Sequence, residues 1–299
     1  MKTTAAKIIL KQKGINMKTH LECLACFVDQ ALRVGKLASE DKAKTRKLVN
    51  EIGKDLETLD FELPPCQHSQ KLYKRVGEIT GNGDPYKQIK AENIKAALEL
   101  FPTLKRIYDS SKDRLDSAIR IAIGGNIIDF ALEASFDLKR DFERVINQDF
   151  AIYDFEEFKK AASKAKTLLY IADNAGETVF DRILIKHLNK KTYYAVKSAP
   201  VLNDATKADA IESGLSDLCE IIKSGSEAPG TILSLCKEEF LQLFKDVDMV
   251  ISKGQGNYEG LSNSNRQIFF LLKAKCSVVA KDLGVDVGEI ILKTNKRFS

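Results

Sequence analysis

From residue 18 to about residue 150, apolar positions recur every three or four residues, as at Leu98, Phe101, Leu104, Ile107 and Tyr108, the period of amphipathic helices. Strand-like alternation is nearly absent there. Leu63-Pro64-Pro65-Cys66 and Gly81-Asn82-Gly83-Asp84-Pro85 break one helix from the next. From Lys166 the texture changes to short β-rich runs separated by helix-length stretches: Thr167–Ala172, Thr192–Val196, Leu218–Ile222, Asp248–Ser252, Phe269–Leu272 and Ser277–Ala280. Strands alternating with helices imply crossover units and a mainly parallel sheet, so the second half reads as α/β. Repeats and low-complexity tracts are not apparent. Met17-Lys18 resembles a second start, which makes 1–16 an N-terminal extension, 17–150 a helical cap domain and 151–299 the α/β domain.

The 299 residues are enough for a sizeable core, and 44% hydrophobic with 30% charged residues is ordinary for a globular protein. No apolar run approaches the roughly 18 to 20 residues that span a bilayer, so no membrane association is expected. The stretch MKTTAAKIILKQKG lacks a long apolar core and a small-residue cleavage site, which places the chain in the cytoplasm. The formal charge of +5 comes from 47 basic and 42 acidic residues dispersed along the chain. Nucleic acid is therefore not an expected partner, while a mild positive bias suits a small anionic one. Six cysteines, at 23, 26, 66, 219, 236 and 276, should be thiols or metal ligands in a reducing compartment.

In an open parallel sheet, ligands bind outside the carboxyl ends of the strands. The polar loops fall there: Asp173-Asn174-Ala175-Gly176-Glu177 after the first expected strand, Lys197 to Thr206 after the second, Gly225 to Thr231 after the third and Lys253 to Gly260 after the fourth. Asp173, Asn174 and Asp204 offer two carboxylates and an amide oxygen, a hard donor set that suits Mg²⁺ or Mn²⁺. Asp and Asn after a strand also serve ordinary turns and helix caps. Lys197, Lys253 and Lys273, each at or near a strand end, are candidate phosphate partners, although any one of them also reads as a solvated lysine. Gly225-Ser226-Glu227-Ala228-Pro229-Gly230-Thr231 is expected to lead into a helix whose amides face an anion, and Gly254-Gln255-Gly256-Asn257 to bring backbone amides to a ligand. The spacing is not that of a dinucleotide fingerprint.

Cys23-Leu24-Ala25-Cys26, with His20 one turn earlier and Cys66-Gln67-His68 downstream, has three readings. On one helix face the thiols and His20 suit a second metal site such as zinc, or a redox pair; otherwise they are a structural pair packing the helices. Because the motif lies in the helical half, Cys23 and Cys26 are expected to serve that half and not the chemistry.

These motifs together resemble the DUF89 proteins, the damage-control phosphatases, in particular the archaeal and bacterial subfamily with an N-terminal CxxC. The resemblance runs from about Met17 to near the C-terminus and rests on several signatures in order. These are Glu22-Cys23-x-x-Cys26, Asp84-Pro85-Tyr86, Arg120-x-Ala122-x-x-Gly125-Asn126-x-x-Asp129, Asp173-Asn174-Ala175-Gly176-Glu177, Asn203-Asp204-Ala205-Thr206 and Ser252-Lys253-Gly254-Gln255-Gly256-Asn257-Tyr258-Glu259. It implies a Rossmann-like three-layer α/β/α domain with a helical N-terminal domain, and hydrolysis of small phosphorylated metabolites with a divalent cation (Mg, Mn, Co or Ni). It carries the metal ligands to Asp173, Asn174 and Asp204, and substrate contacts to Glu177, to Lys253, Gly254, Gln255, Gly256 and Asn257, and to Lys273. Asp173, Asp204 and Lys253 are the expected catalytic residues, with Lys197 on the phosphate and Asn126 and Asp129 closing the pocket from the helical side. Two nucleophiles fit, a water activated at the metal and the Asp173 carboxylate.

Two other functions compete. A sheet of this type also suits an S-adenosylmethionine-dependent methyltransferase, but the first strand leads into Asp-Asn-Ala-Gly-Glu and not a glycine-rich turn. The third is a non-catalytic metal- or phosphometabolite-binding module that uses its cysteines as a sensor.

Overall fold

The run Leu168-Leu169-Tyr170-Ile171 is buried throughout, as a central strand covered on both faces requires. In the computed structural model, which describes residues 17–125 and 146–296, it forms the middle of a seven-stranded sheet. Helices come first among the described residues: α1 (Leu21–Ala38), α2 (Lys42–Leu56), α3 (Pro65–Thr80), α4 (Lys87–Ser110) and α5 (Arg114–Gly124). Strands and helices then alternate through β1 (Phe150–Tyr153), α6 (Phe155–Lys164), β2 (Thr167–Ile171), α7 (Thr178–Leu188), β3 (Lys191–Val196), α8 (Lys207–Glu212) and β4 (Glu220–Lys223). The rest is α9 (Glu238–Asp246), β5 (Met249–Lys253), α10 (Gln255–Leu261), β6 (Phe269–Lys273), α11 (Ser277–Leu283) and β7 (Ile290–Thr294).

The sheet order is β1-β7-β6-β5-β2-β3-β4. Strands β6, β5, β2, β3 and β4 run parallel, whereas β7 is antiparallel to β6 and carries β1 parallel to itself at the edge. The chain steps from β2 outward to β3 and β4, then returns to place β5 on the other side of β2. The strand order reverses between β2 and β5, and their carboxyl ends flank the crevice where such sheets bind ligands.

Successive strand residues point to opposite faces, so each strand feeds two cores. Leu168, Tyr170, Met249, Ile251 and Phe269 join α4, α5 and α7 through Ile94, Leu104, Ile119 and Phe180. Leu169, Ile171, Val250 and Phe270 belong to a second cluster with Phe27, Leu48 and Leu72 of α1 to α3 and with Phe240 and Phe244 of α9. The result is a three-layer α/β/α arrangement in which the first five helices are divided between both outer layers.

Two features differ from the sequence reading. Ser277–Ala280, expected as a strand, lies in α11, because Val278, Val279, Ala280 and Leu283 bury one helical face and Gly284 ends the helix in the left-handed conformation. Strands β1 and β7 were not expected; β1 is a four-residue edge strand with alternating exposure, and β7 follows the last apolar run. No helix among the described residues is long and apolar enough to cross a membrane.

Candidate active site

The loops that leave β2 and β3 are stitched together by their backbones. Ala205 N donates to Asp173 O and Ala175 N to Asn203 O, each at 2.8 Å, and Lys197 N donates to Ala205 O at 2.9 Å. Asn174 and Asp204 form an isolated antiparallel bridge, and Lys197 and Thr206 a parallel one. These bonds, more than the side chains, bring Asp173, Asn174 and Asp204 together at the switch point. All three are buried yet line a cavity of about 300 Å³.

Every parallel strand contributes to that cavity: Asp173 and Asn174 after β2, Leu202 to Asp204 after β3, Pro229 after β4, Gln255, Gly256 and Glu259 from α10 after β5, and Lys275 after β6. The opposing wall comes from the helices, with Cys23, Cys26 and Phe27 of α1 and Pro65 and Cys66 of α3. Gly254 is required by close approach, since it has φ +79° and a Cβ there would lie 2.0 Å from Asp173 Oδ2. Gly256 is packed as tightly against the next loop, where a Cβ would lie 2.0 Å from Pro229 O.

Behind the cavity lies a buried charge network. Lys253 Nζ donates to Glu177 Oε2 and Asp181 Oδ1, both at 2.8 Å, and all three residues are almost inaccessible. Tyr170 and Tyr194 donate their hydroxyls to the two oxygens of Asp181, at 2.6 and 2.7 Å. Burial opposes the ammonium charge, but Asp181 and Glu177 outweigh it and hold the Lys253 pKa above its ordinary value. Asn174 Nδ2 donates to Glu177 Oε1 at 3.0 Å and reaches Asp173 Oδ2 at 3.4 Å. With its NH₂ end committed to two carboxylates, the amide turns its oxygen the other way.

Several of the expected residues stand off the cavity wall. Lys253 and Glu177 do not line the cavity; they neutralise and orient one another and, through Glu177, position Asn174. Asn257 is also withdrawn: its Nδ2 donates to Ala172 O and Lys253 O at 2.8 Å, and its Oδ1 accepts from Thr231 Oγ1 at 2.8 Å, so it clamps three loops. Lys273 ends β6 away from the cavity, and the lysine of that loop which reaches it is Lys275. Lys197 stands 3.4 Å from Asp204 Oδ2 and is nearly inaccessible. The loop 225–231 leads to a 3-10 turn at Leu233–Leu235, and Ser226 Oγ is spent on Gly230 O, so no helix start faces an anion there. Gln255 and Gly256 line the cavity as expected from their position, whereas Asn126 and Asp129 lie outside the described residues.

The cysteine motif moves in the opposite direction. Cys23 and Cys26 stand on the cavity wall, although their motif lies in the helical half. The six cysteines are free thiols, and burial pushes Cys23, Cys26 and Cys66 above the usual thiol range. Zinc finds no further ligands around the pair, because no group of three or more His, Cys, Asp or Glu among the described residues is arranged to hold a metal. Histidine 68 is turned away, bonding Asp60 O at 2.8 Å.

A cation at the strand ends must therefore use two carboxylates and one amide, and draw its remaining ligands from water or substrate, as Mg²⁺ commonly does. The residues fit that demand. Asp204 Oδ2 is buried with no hydrogen-bond donor, and Lys197 Nζ beside it completes no hydrogen bond either. Burial raises the Asp204 pKa, opposed by the charges of Lys197 and Lys275. A carboxylate this desolvated gains from a further positive charge.

Doubly wound topology, with two carboxylates and an amide at the switch point on a cavity of about 300 Å³, defines an α/β protein whose strand ends form a pocket of small-ligand size. Residues 19–291 match the model of the damage-control phosphatase ARMT1-like domain, and the chain belongs to that family, also known as DUF89. It is 34% identical to a damage-control phosphatase of Pyrococcus horikoshii over 94% of this chain and 99% of the relative. A damage-control phosphatase of Archaeoglobus fulgidus is 31% identical over 93% and 99%. The crystal structure of a DUF89 family protein from P. horikoshii superposes with a TM-score of 0.86 at 34% identity, covering 94% of this chain and 100% of that one.

Proposed function

We propose that the chain is a metal-dependent phosphatase of small phosphorylated metabolites. The observation that carries this is the backbone stitching that sets Asp173, Asn174 and Asp204 side by side on a cavity too small for a macromolecule, in a chain whose relatives are damage-control phosphatases. Asp173, Asn174 and Asp204 would hold a divalent cation of the Mg²⁺ or Mn²⁺ kind, which would supply electrophilic polarisation of the phosphoryl group.

The chain's own groups do the rest. Glu177, fixed by Lys253, holds the Asn174 amide in one orientation, so that the donor set is formed before substrate enters. Lys197 balances the Asp204 carboxylate without quenching it by a hydrogen bond. Lys275 brings a mobile positive charge to neutralise phosphoryl oxygens as the ester bond breaks. Phe27 and Pro65 give the cavity an apolar wall on the helical side.

Phosphate release from a panel of sugar phosphates, nucleotides and phosphopantetheine-like esters, measured with and without Mg²⁺, Mn²⁺, Co²⁺ or Ni²⁺, tests this. Turnover that disappears in EDTA and returns with cation is expected. Binding of esters without turnover under every metal would sink the proposal in favour of a binding module.

A further inference from the structure

One acidic group on the cavity wall has no part in holding a cation. Glu259, in the middle of α10, is 8% exposed and lines the same cavity as Asp173 and Asp204. Both of its oxygens are held. Oε2 accepts from Cys66 N at 3.0 Å, across 193 residues of sequence, and Oε1 accepts from Gln255 Nε2 at 3.2 Å. The position of the carboxyl is thus determined by two elements, α3 and α10, and no lysine, arginine or histidine among the described residues forms an ion pair with it. We propose that Glu259 is the general acid of the reaction, delivering a proton to the oxygen that leaves phosphorus.

This rests on the phosphatase reading above. The ester P–O bond breaks with its electron pair going to the leaving oxygen, and the Glu259 proton goes to that oxygen, which departs as an alcohol. Phosphorus gains a bond to the oxygen of the attacking water, whose proton passes to solvent. Solvent then reprotonates the carboxylate for the next turnover. Such a role needs a carboxyl that is still protonated near neutral pH, and burial pushes Glu259 up to about 7, against the pull of its bonds from Gln255 and Cys66 N. Its surroundings support the neutral form. Cys23 and Cys26 face it from α1 and Cys66 from α3, all held above the usual thiol range, and Cys276 adds a fourth thiol ahead of α11. Glu22 and Lys275 are the charged groups at the cavity rim, and Asp173 and Asp204 those of the strand ends.

The test compares Glu259→Gln with the wild type on two esters. An alkyl phosphate such as glycerol phosphate needs a proton on its leaving oxygen, whereas p-nitrophenyl phosphate releases a stable phenolate. General acids contribute roughly a hundredfold or more, so the loss of kcat on the alkyl ester should exceed the loss on the aryl ester by at least about thirtyfold. The wild-type decline in alkyl-ester kcat/KM above about pH 7 should flatten in the variant, and Glu259→Asp should recover part of the activity. Equal losses on both esters, with a lowered Tm, would show that Glu259 only joins α3 to α10 and would overturn the assignment. A wild type inactive on these two esters and on every ester of the panel above, under every metal, would overturn the phosphatase reading and this role with it.

Discussion

Replacing Lys253 by methionine keeps most of the side-chain volume and removes the one cation between Glu177 and Asp181. Both carboxylates are almost inaccessible, at 1% and 0%, and each loses a bond of 2.8 Å. Breaking a buried pair from one side costs about 3–5 kcal/mol, because the remaining charge is left desolvated and uncompensated. Tyr170 and Tyr194 still donate to Asp181, which puts the expected cost near the lower end, about 3 kcal/mol. At this chain length about 2 °C is lost per kcal/mol, so Tm should fall by roughly 6 °C. Turnover per folded molecule should drop only about tenfold, through a less well held Asn174. Calorimetry and phosphate release at saturating metal read the two effects separately. Adding Glu177→Gln to Lys253→Met removes one of the two stranded charges and should restore part of the Tm. A Lys253→Met protein with wild-type Tm and a thousandfold lower kcat would refute the reasoning, since the ammonium would then have to act on substrate.

Four further outcomes are expected. Asp204→Asn keeps size and removes one charge from the donor set, so turnover should fall about a hundredfold or more with an unchanged circular dichroism spectrum; retention of more than about a third of the activity at limiting metal would exclude Asp204 as a ligand. Gly254→Ala forces a Cβ to within 2.0 Å of Asp173 Oδ2 at φ +79°, so metal affinity measured by titration calorimetry should fall at least tenfold, and an unchanged affinity would separate Asp173 from the metal. Cys26→Trp crowds the cavity wall and should raise KM more than kcat falls, whereas an unaffected KM would place substrate elsewhere. Glu259 has a folded pKa of about 7 against an unfolded value near 4.5, so its contribution to stability is complete below pH 4.5 and is lost as pH rises through 7. Tm should therefore decline across that window, more steeply in wild type than in Glu259→Gln; parallel Tm profiles would count against a raised Glu259.

The fold was legible where strands are central and loops are polar. Runs such as Leu168–Ile171 and Met249–Ile251 are apolar throughout because helices cover both faces of the sheet, and that pattern survives in sequence. Edge strands lack it: Phe150–Tyr153 has four residues and buries none of them fully. Val278-Val279 misled because β-branched residues favour strands only until packing decides otherwise, and here they bury a helical face. At the site, Asp173, Asn174 and Asp204 could be placed because they follow strands, and topology does the rest. The burial of Lys253 between Glu177 and Asp181 was not legible, since a position at a strand end says nothing of what surrounds the ammonium. A sign was present in Glu177 and Asp181, two carboxylates four residues apart on one helical face, which need a buried cation if that face is turned inward. Glu259, Lys275 and the cavity position of Cys23 and Cys26 depend on contacts between distant segments, such as Cys66 with Glu259, and no local pattern announces them.

The division of the first five helices between two layers bears on how the molecule comes apart. Phe27, Leu48 and Leu72 share a cluster with Leu169, Val250 and Phe270, while Ile94 and Ile119 share one with Tyr170 and Ile251. Melting the helical segment would strip apolar cover from both faces of the central strands at once, so neither part has a stable resting place without the other. Heat should then unfold the protein in one cooperative transition, and amides of β2 and β5 should exchange with solvent only through global opening. A fragment beginning at residue 151 would present the bare faces of a parallel sheet to water and collect as aggregates in place of folding as an independent phosphatase core.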